Sequence, residues 1–323
     1  MDHKIALEEH FSIAELVDNS KVYFDLAIWD EVKKYILDIH EYRLAKMDKN
    51  NIELSILSQN SPAIQGISNK LKAIEMAKRS NDFLAEQISK NPTRFKGFAA
   101  LPMQDPNAAI EELIRCINEL GFVGALVNGF SELDNINKAI YYDLDQYWPF
   151  WEIVEKLGVP FYLYPREPYI TQQQCYEGHP WLLGSAWAFG CETATHALRL
   201  MASGLFDKYP KLTIILGHMG EMLPFVIWRI DHRIKWSARG IKAKRPLGDY
   251  FKENFYITTS GNFRTQALIN AILEIGADKI LFSTDYPFEK MTEATEWFDQ
   301  ATISEIDRIK IGCINAKKLF KII

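Results

Sequence analysis

The sequence predicts a single (β/α)8 barrel, and three observations carry that expectation. About eight short apolar runs recur along the chain, each separated from the next by helical sequence. Fully apolar strands alternating with helices read as a parallel sheet covered on both faces. With 323 residues and 48% hydrophobic content, the chain can bury one large core. About eight strand–helix units in that length fit a closed barrel better than an open doubly wound sheet. No linker of biased composition interrupts them, so residues 1–323 read as one domain.

The first apolar run, Ile5-Ala6-Leu7, ends in Glu8-Glu9-His10-Phe11. Side chains two apart on a strand face the same way, so Glu8 and His10 project together from its C-terminal end. A carboxylate beside an imidazole is a donor set for a divalent metal; an exposed polar strand end is the alternative reading of this fragment alone. The aromatic and charged segment that follows, through Tyr23-Phe24 and Trp29, reads as an insertion with a helix over about 30–39, part of a lid or a subunit contact. A second helix over 42–50 leads into Ile52-Glu53-Leu54-Ser55-Ile56-Leu57, whose alternation says strand.

A long amphipathic helix over 69–89 precedes a strand at 95–101. Asp105-Pro106 opens the next helix, with proline early and Glu111-Glu112 in the first half; it ends near Gly121. The strand at 122–127 is almost wholly apolar and runs into Asn128-Gly129. A helix over 147–157 stops at Gly158, and the strand 159–164 ends in Tyr164-Pro165-Arg166. A loop around Gly178-His179-Pro180-Trp181 precedes a helix over 193–206. The strand 212–218 ends on His218, a helix begins near Glu221, and strands at 255–260 and 279–285 complete the set before C-terminal helices.

Composition removes several classes of function. Lys+Arg 37 against Asp+Glu 42 gives a net charge of −5 with no basic block, which argues against a nucleic-acid partner. No stretch reaches the roughly 18 apolar residues of a membrane span, and the N-terminus lacks a charged region followed by an apolar core. Cys116, Cys175, Cys191 and Cys313 show no CxxC or zinc-finger spacing, as in a reduced, cytoplasmic protein. No GxGxxG or Walker loop follows any strand, which removes the main nucleotide-binding alternatives.

In a barrel the strand C-termini gather on one face, and active sites are built there. The strand ends supply Glu8 and His10, Asn60, Asn128, Tyr164 with Arg166, His218, Ser260 and Asp285. Singly, each has a bland explanation: a core histidine, or an aspartate capping a helix. Jointly they bring two carboxylates and two imidazoles from distant segments into one mouth. His218 lies in Leu216-Gly217-His218-Met219-Gly220-Glu221, where the glycines permit close backbone approach to a ligand. Glu221, three residues on, is placed to accept from the imidazole and fix its tautomer; a helix N-terminal glutamate is the ordinary alternative. Asp285, in Ser283-Thr284-Asp285-Tyr286-Pro287, is the candidate shared carboxylate, touching metal and exchanging a proton with substrate. A nearby cation depresses a carboxyl pKa, so an acid role requires burial or substrate charge to oppose it.

These motifs carry a resemblance. The Glu-Glu-His start, the Pro-Arg strand end, Gly-His-Met-Gly-Glu and Ser-Thr-Asp-Tyr-Pro resemble the amidohydrolase superfamily in its metal-dependent decarboxylase branch, which acts on γ-resorcylate, 2,3-dihydroxybenzoate and salicylate. Phe98-Ala99-Ala100-Leu101-Pro102, the segment from Gly121 to Phe130, Gly178-His179-Pro180-Trp181 and Thr258-Thr259-Ser260-Gly261-Asn262 are similar to the same group, so the likeness spans essentially the whole chain. It implies reversible, non-oxidative decarboxylation of an ortho-hydroxybenzoate, one divalent ion (zinc or manganese), and a homodimer or homotetramer. It also implies Glu8, His10 and Asp285 as metal ligands and Asp285 as the donor that protonates the ring. His218 with Glu221 would be catalytic, and Tyr23, Arg229 and Asn128 would lie on the substrate side. One departure stands out: where the family carries a metal-ligating histidine before Pro-Arg, this chain has Tyr164. A phenol with a pKa of about 10 is a poorer ligand at neutral pH, so Tyr164 either ligates as phenolate or fills the strand end without ligating. The rival functions are a lactone or amide hydrolase of the same superfamily, and a silent barrel that has lost activity through Tyr164.

Overall fold

The computed structural model describes residues 1, 3–133 and 138–322. Among them, eight parallel strands follow one another around a sheet in chain order. They are β1 (Lys4–Phe11), β2 (Ile52–Gln59), β3 (Phe95–Ala99), β4 (Gly124–Asn128), β5 (Phe161–Tyr164), β6 (Ile214–Leu216), β7 (Phe255–Thr258) and β8 (Ile280–Leu281). The ring closes where the chain beyond β8 returns to β1: Asp285 N donates to Glu8 O at 3.1 Å and His10 N to Tyr286 O at 2.7 Å. Glu9 reinforces the seam, its carboxylate accepting from Thr284 N (2.9 Å), Thr284 Oγ1 (2.7 Å) and Ser283 Oγ (3.1 Å). This is the (β/α)8 barrel expected, with a small hairpin, Ser131–Glu132 against Ala139–Ile140, added after β4.

The barrel interior is an apolar plug of side chains from alternate strand positions, including Ile5, Leu7, Ile56, Phe98, Leu126 and Ile215. On β1 the alternation is broken. Ala6 pairs with Ser55 and Glu9 with Leu57, so three steps on β1 match two on β2, with a register shift between. The extra residue is a bulge that lets Leu7 join the plug while Glu8 and His10, one position out of phase with Ile5 and Leu7, also face the interior. Glu9 is thereby left to the outer side, where it holds the seam.

Outside, the helices pack by one-face periodicity. Lys70–Lys90 buries Ala73, Met76, Ala77, Ser80, Asn81, Leu84 and Gln87, a three-and-four spacing, and Asn69 caps it by accepting from Lys72 N at 2.9 Å. Truncating Leu84 to alanine would cost about 2–5 kcal/mol. Asp105 caps Pro106–Asn118, and Gly158 ends Trp148–Leu157 in the left-handed region, as the sequence suggested. The insertion helix runs Leu26–Leu37, starting earlier than expected. The helix expected over 193–206 is Ala188–Ala202, broken from a short Leu205–Lys208 turn by Gly204 at φ 83°. Two ladder strands are shorter than the apolar runs suggested, because the chain leaves the sheet at Gly217 and after Leu281. The bends that follow place His218 (φ 49°) and Asp285 (φ 65°) in the left-handed region and turn both side chains into the mouth.

Candidate active site

Four side chains from three strand ends meet at the C-terminal mouth of the barrel. Glu8 and His10 come from β1, His218 from the turn after β6, and Asp285 from the segment after β8. One ligand atom each from Glu8, His218 and Asp285 lie within 4.8 Å of one another. His218 Nε2 is 3.5 Å from Glu8 Oε1 and 3.6 Å from Asp285 Oδ2. His10 joins through Asp285, with Nε2 3.1 Å from Oδ1, and Ser58 Oγ holds its other ring nitrogen at 3.1 Å.

The two carboxylates are held alike. Glu8 Oε2 accepts from Tyr162 Oη, from Thr258 Oγ1 at 2.9 Å and from Ser260 Oγ, while Glu8 Oε1 is buried and makes no hydrogen bond. Asp285 Oδ1 accepts from His10 and from Tyr164 Oη, each at 3.1 Å, leaving Oδ2 turned to His218. An unpartnered buried carboxylate oxygen is costly in isolation. Beside a second carboxylate and the His10 imidazole, whose far nitrogen is already bonded to Ser58, it makes a fitting donor set for one divalent cation. Gly217 is required here on grounds of space: a Cβ would stand 2.8 Å from Glu8 Oε2 and 3.1 Å from Oε1.

The electrostatics follow from burial opposed by pairing. Burial, with the neighbouring Asp285 charge, raises the Glu8 carboxyl to about 7 against the lowering effect of His218. Burial also raises Asp285, but hydrogen bonds and charge from His10 and His218 outweigh it and hold that group at about 2. His218 is pulled down by burial and more strongly up by Glu221 and Glu8, so it stays protonated well above its ordinary range. Burial lowers His10, keeping its imidazole neutral, the form that ligates a metal. The Tyr164 phenol goes well above its usual value through burial and the charges of Asp285 and Glu8.

Glu221 stands where its spacing suggested, with Oε1 2.7 Å from His218 Nδ1. It belongs to the turn ahead of the helix Leu223–Trp236, not to a helix start. Asn128 ends β4 in register with Tyr164; its amide donates to Gln59 O at 3.4 Å and its Oδ1 is buried without a partner. Tyr23 lines a neighbouring cavity beside Arg166 and meets Phe189 edge-on at 5.4 Å between centroids. Arg229 is exposed on the helix Leu223–Trp236, outside the lining of the cavity over His218 within a single chain. That cavity, of about 540 Å³, reaches His218 and Glu221 past Trp187, Phe189, Gly261 and Asn262. The sequence reading passed over Tyr162, Thr258 and Ser58. All three lie at the inward parity of their strands, so a polar side chain two positions from a plug residue or a ligand was the available signal.

A barrel that gathers buried carboxylates and imidazoles around one cation position at its mouth defines a mononuclear metal-dependent enzyme. The chain belongs to the amidohydrolase family, whose model (described as "Amidohydrolase") matches residues 38–322. It is 60% identical to a γ-resorcylate decarboxylase of Polaromonas sp. over 100% of this chain and 99% of that protein. A γ-resorcylate decarboxylase of Rhizobium sp. is 59% identical over the same shares. Among solved structures, 2,6-dihydroxybenzoate decarboxylase complexed with 2,6-dihydroxybenzoate superposes with a TM-score of 0.98 at 59% identity, covering 100% of both chains. The Polaromonas sp. dihydroxybenzoic acid decarboxylase with bound manganese and the inhibitor 2-nitroresorcinol gives 0.97 at 60% identity, covering 99% of this chain and 97% of that one.

Proposed function

We infer that this chain is a metal-dependent carboxy-lyase catalysing the reversible, non-oxidative decarboxylation of 2,6-dihydroxybenzoate (γ-resorcylate). The observation that carries the reading is full-length identity of 58–60% to γ-resorcylate decarboxylases. The cluster of Glu8, His218 and Asp285 is the site to which the chemistry is assigned. Glu8, His10 and Asp285 would hold one divalent cation, manganese or zinc. That cation, when bound, supplies Lewis-acid charge for the substrate's carboxylate and adjacent phenolate oxygens.

The protein's own groups handle the proton. His218 carries it, kept charged by Glu221 and Glu8. Asp285 Oδ2, 3.6 Å from His218 Nε2, passes it to the ring carbon that bears the carboxylate. Protonation suspends aromaticity; the C–C bond then breaks, its electrons return to the ring, and CO₂ and resorcinol result. Phe189, Trp187 and the neighbouring Tyr23 offer apolar faces for the ring, and buried Asn128 supplies an acceptor for a hydroxyl. Arg229 is assigned to the substrate side only by family position, and its exposure fits a role across a subunit contact. The exposed Phe225 (82%), Trp228 (71%) and Leu273 (81%) support self-assembly as a homodimer or homotetramer. Among the described residues no helix is long and apolar enough to cross a membrane. All four cysteines are free, which supports a reducing, cytoplasmic setting for this one-domain chain. The test is CO₂ and resorcinol release from 2,6-dihydroxybenzoate by the manganese-loaded protein; turnover of a lactone in its place would overturn the reading.

A further inference from the structure

Tyr162 and Tyr164 sit two apart on β5 and send their hydroxyls to different carboxylates of the site, Tyr162 to Glu8 Oε2 and Tyr164 to Asp285 Oδ1. Each contact ties one oxygen of an acid to the protein and leaves the other oxygen free: Glu8 Oε1, without any hydrogen bond, and Asp285 Oδ2, turned to His218. The Tyr164 ring is wedged between the two imidazoles, its centroid 4.4 Å from His10 and 6.0 Å from His218. Its hydroxyl therefore points at a carboxylate oxygen as a donor, and the ring occupies the side of the site that a further ligand would need.

We propose that Tyr164 is a positioning residue and not a cation ligand: its O–H fixes Asp285, and the cation in this chain is held by three protein side chains, with the Tyr164 ring filling the side where a fourth would stand. This rests on the reading of a divalent-cation site between Glu8 and Asp285. One consequence follows: the cation is held less firmly than an extra imidazole would hold it.

The test titrates Mn²⁺ into chelator-stripped wild type, Tyr164→Phe and Tyr164→His. Affinity is read by chelator competition, and the near-ultraviolet difference spectrum reports any tyrosinate. No tyrosinate band is expected in wild type. Losing the hydroxyl in Tyr164→Phe weakens Mn²⁺ by about 10–100-fold, the usual effect of removing a ligand's hydrogen-bond partner. Tyr164→His, which replaces the ring on that side by a ligating imidazole, tightens Mn²⁺ by at least about tenfold. A tyrosinate band that Tyr164→Phe abolishes, or an unchanged affinity in a folded Tyr164→His, overturns the proposal while leaving the cation site standing. Failure of all three proteins to bind Mn²⁺ overturns the proposal and the metal reading together.

Discussion

His218 Nδ1 lies 2.7 Å from Glu221 Oε1, and the turn joining them is left-handed throughout, with positive φ at every residue from 218 to 222. Left-handed backbone costs non-glycine residues about 1–2 kcal/mol each, and only Gly220 in this run is exempt. The surrounding packing holds it there: a Cβ at Gly220 would stand 2.9 Å from Ile257 Cγ2. What the strain achieves is a carboxylate–imidazole pair whose far nitrogen faces both Glu8 and Asp285.

Breaking that pair should move the pH profile. His218→Asn is expected to lower kcat by about 10²–10⁴-fold, the usual worth of a proton-transfer group. Glu221→Gln removes a charge that favours the imidazolium, so the His218 pKa falls. The alkaline limb of kcat then shifts to lower pH, with a loss of about tenfold at neutral pH. CO₂ release followed across the pH range measures both, and an unmoved limb would remove Glu221 from the proton path.

Asp285 is assigned both to the cation and to the proton. Asp285→Asn should reduce kcat by at least about 10³-fold and lower manganese content in the same preparation. Full turnover in that variant would withdraw the donor assignment.

The two histidines should separate by metal content. His10→Ala is expected to lose manganese on dialysis, and His218→Asn to retain it while losing turnover. Chelation of the wild type abolishes activity and added Mn²⁺ restores it; elemental analysis beside the assay gives both readings.

Gly217 is a steric test of Glu8. Its φ of −74° suits alanine, so the cost of Gly217→Ala falls on the carboxylate 2.8 Å from the new Cβ. Thermal stability should change by only a few degrees while Mn²⁺ affinity drops by about tenfold or more. A variant with native metal affinity would show that Glu8 can retreat without penalty.

His196 predicts part of the acid sensitivity. It is fully buried, accepts from Tyr142 N at 3.2 Å, and is held neutral down to about 3 by burial and the Arg199 charge. The unfolded chain binds this proton from about pH 6.5 downward and the folded chain does not, so stability is complete above that pH and declines as acid is added. The total is on the order of 5 kcal/mol by the time both states are protonated. His196→Gln, which retains an acceptor for Tyr142 N, should show a flatter decline in denaturant melts between pH 6.5 and 4; an identical slope would remove His196 as the cause.

Much of this was readable in advance because two periodicities survive folding. Glu8 and His10 are two apart on a strand, and His218 and Glu221 are three apart in a turn, so each pair converges whatever surrounds it. The helices 70–90 and 106–118 announced their caps and apolar faces. Tyr162, Thr258 and Ser58 were hidden because tyrosine and threonine are ordinary strand residues, and only closure of the ring gives them a carboxylate or imidazole to hold. Glu9, between the two expected ligands, was given no role, because its partners lie some 275 positions away at the seam. The bends that shorten β6 and β8 depend on left-handed His218 and Asp285, residue types that carry no such signal by themselves.

The added residue in β1 has a consequence for how this enzyme can vary. Deleting Leu7 or Glu8 would restore strict alternation and leave Glu9 outside and His10 inside, but only one of the two inward places those residues now fill would remain. The strand would keep either its plug residue or its cation-facing carboxylate, not both. A replacement at either place changes its chemistry but not the number of inward places, so the length of this first strand, as much as its chemistry, is what descendants of this chain must conserve to keep working.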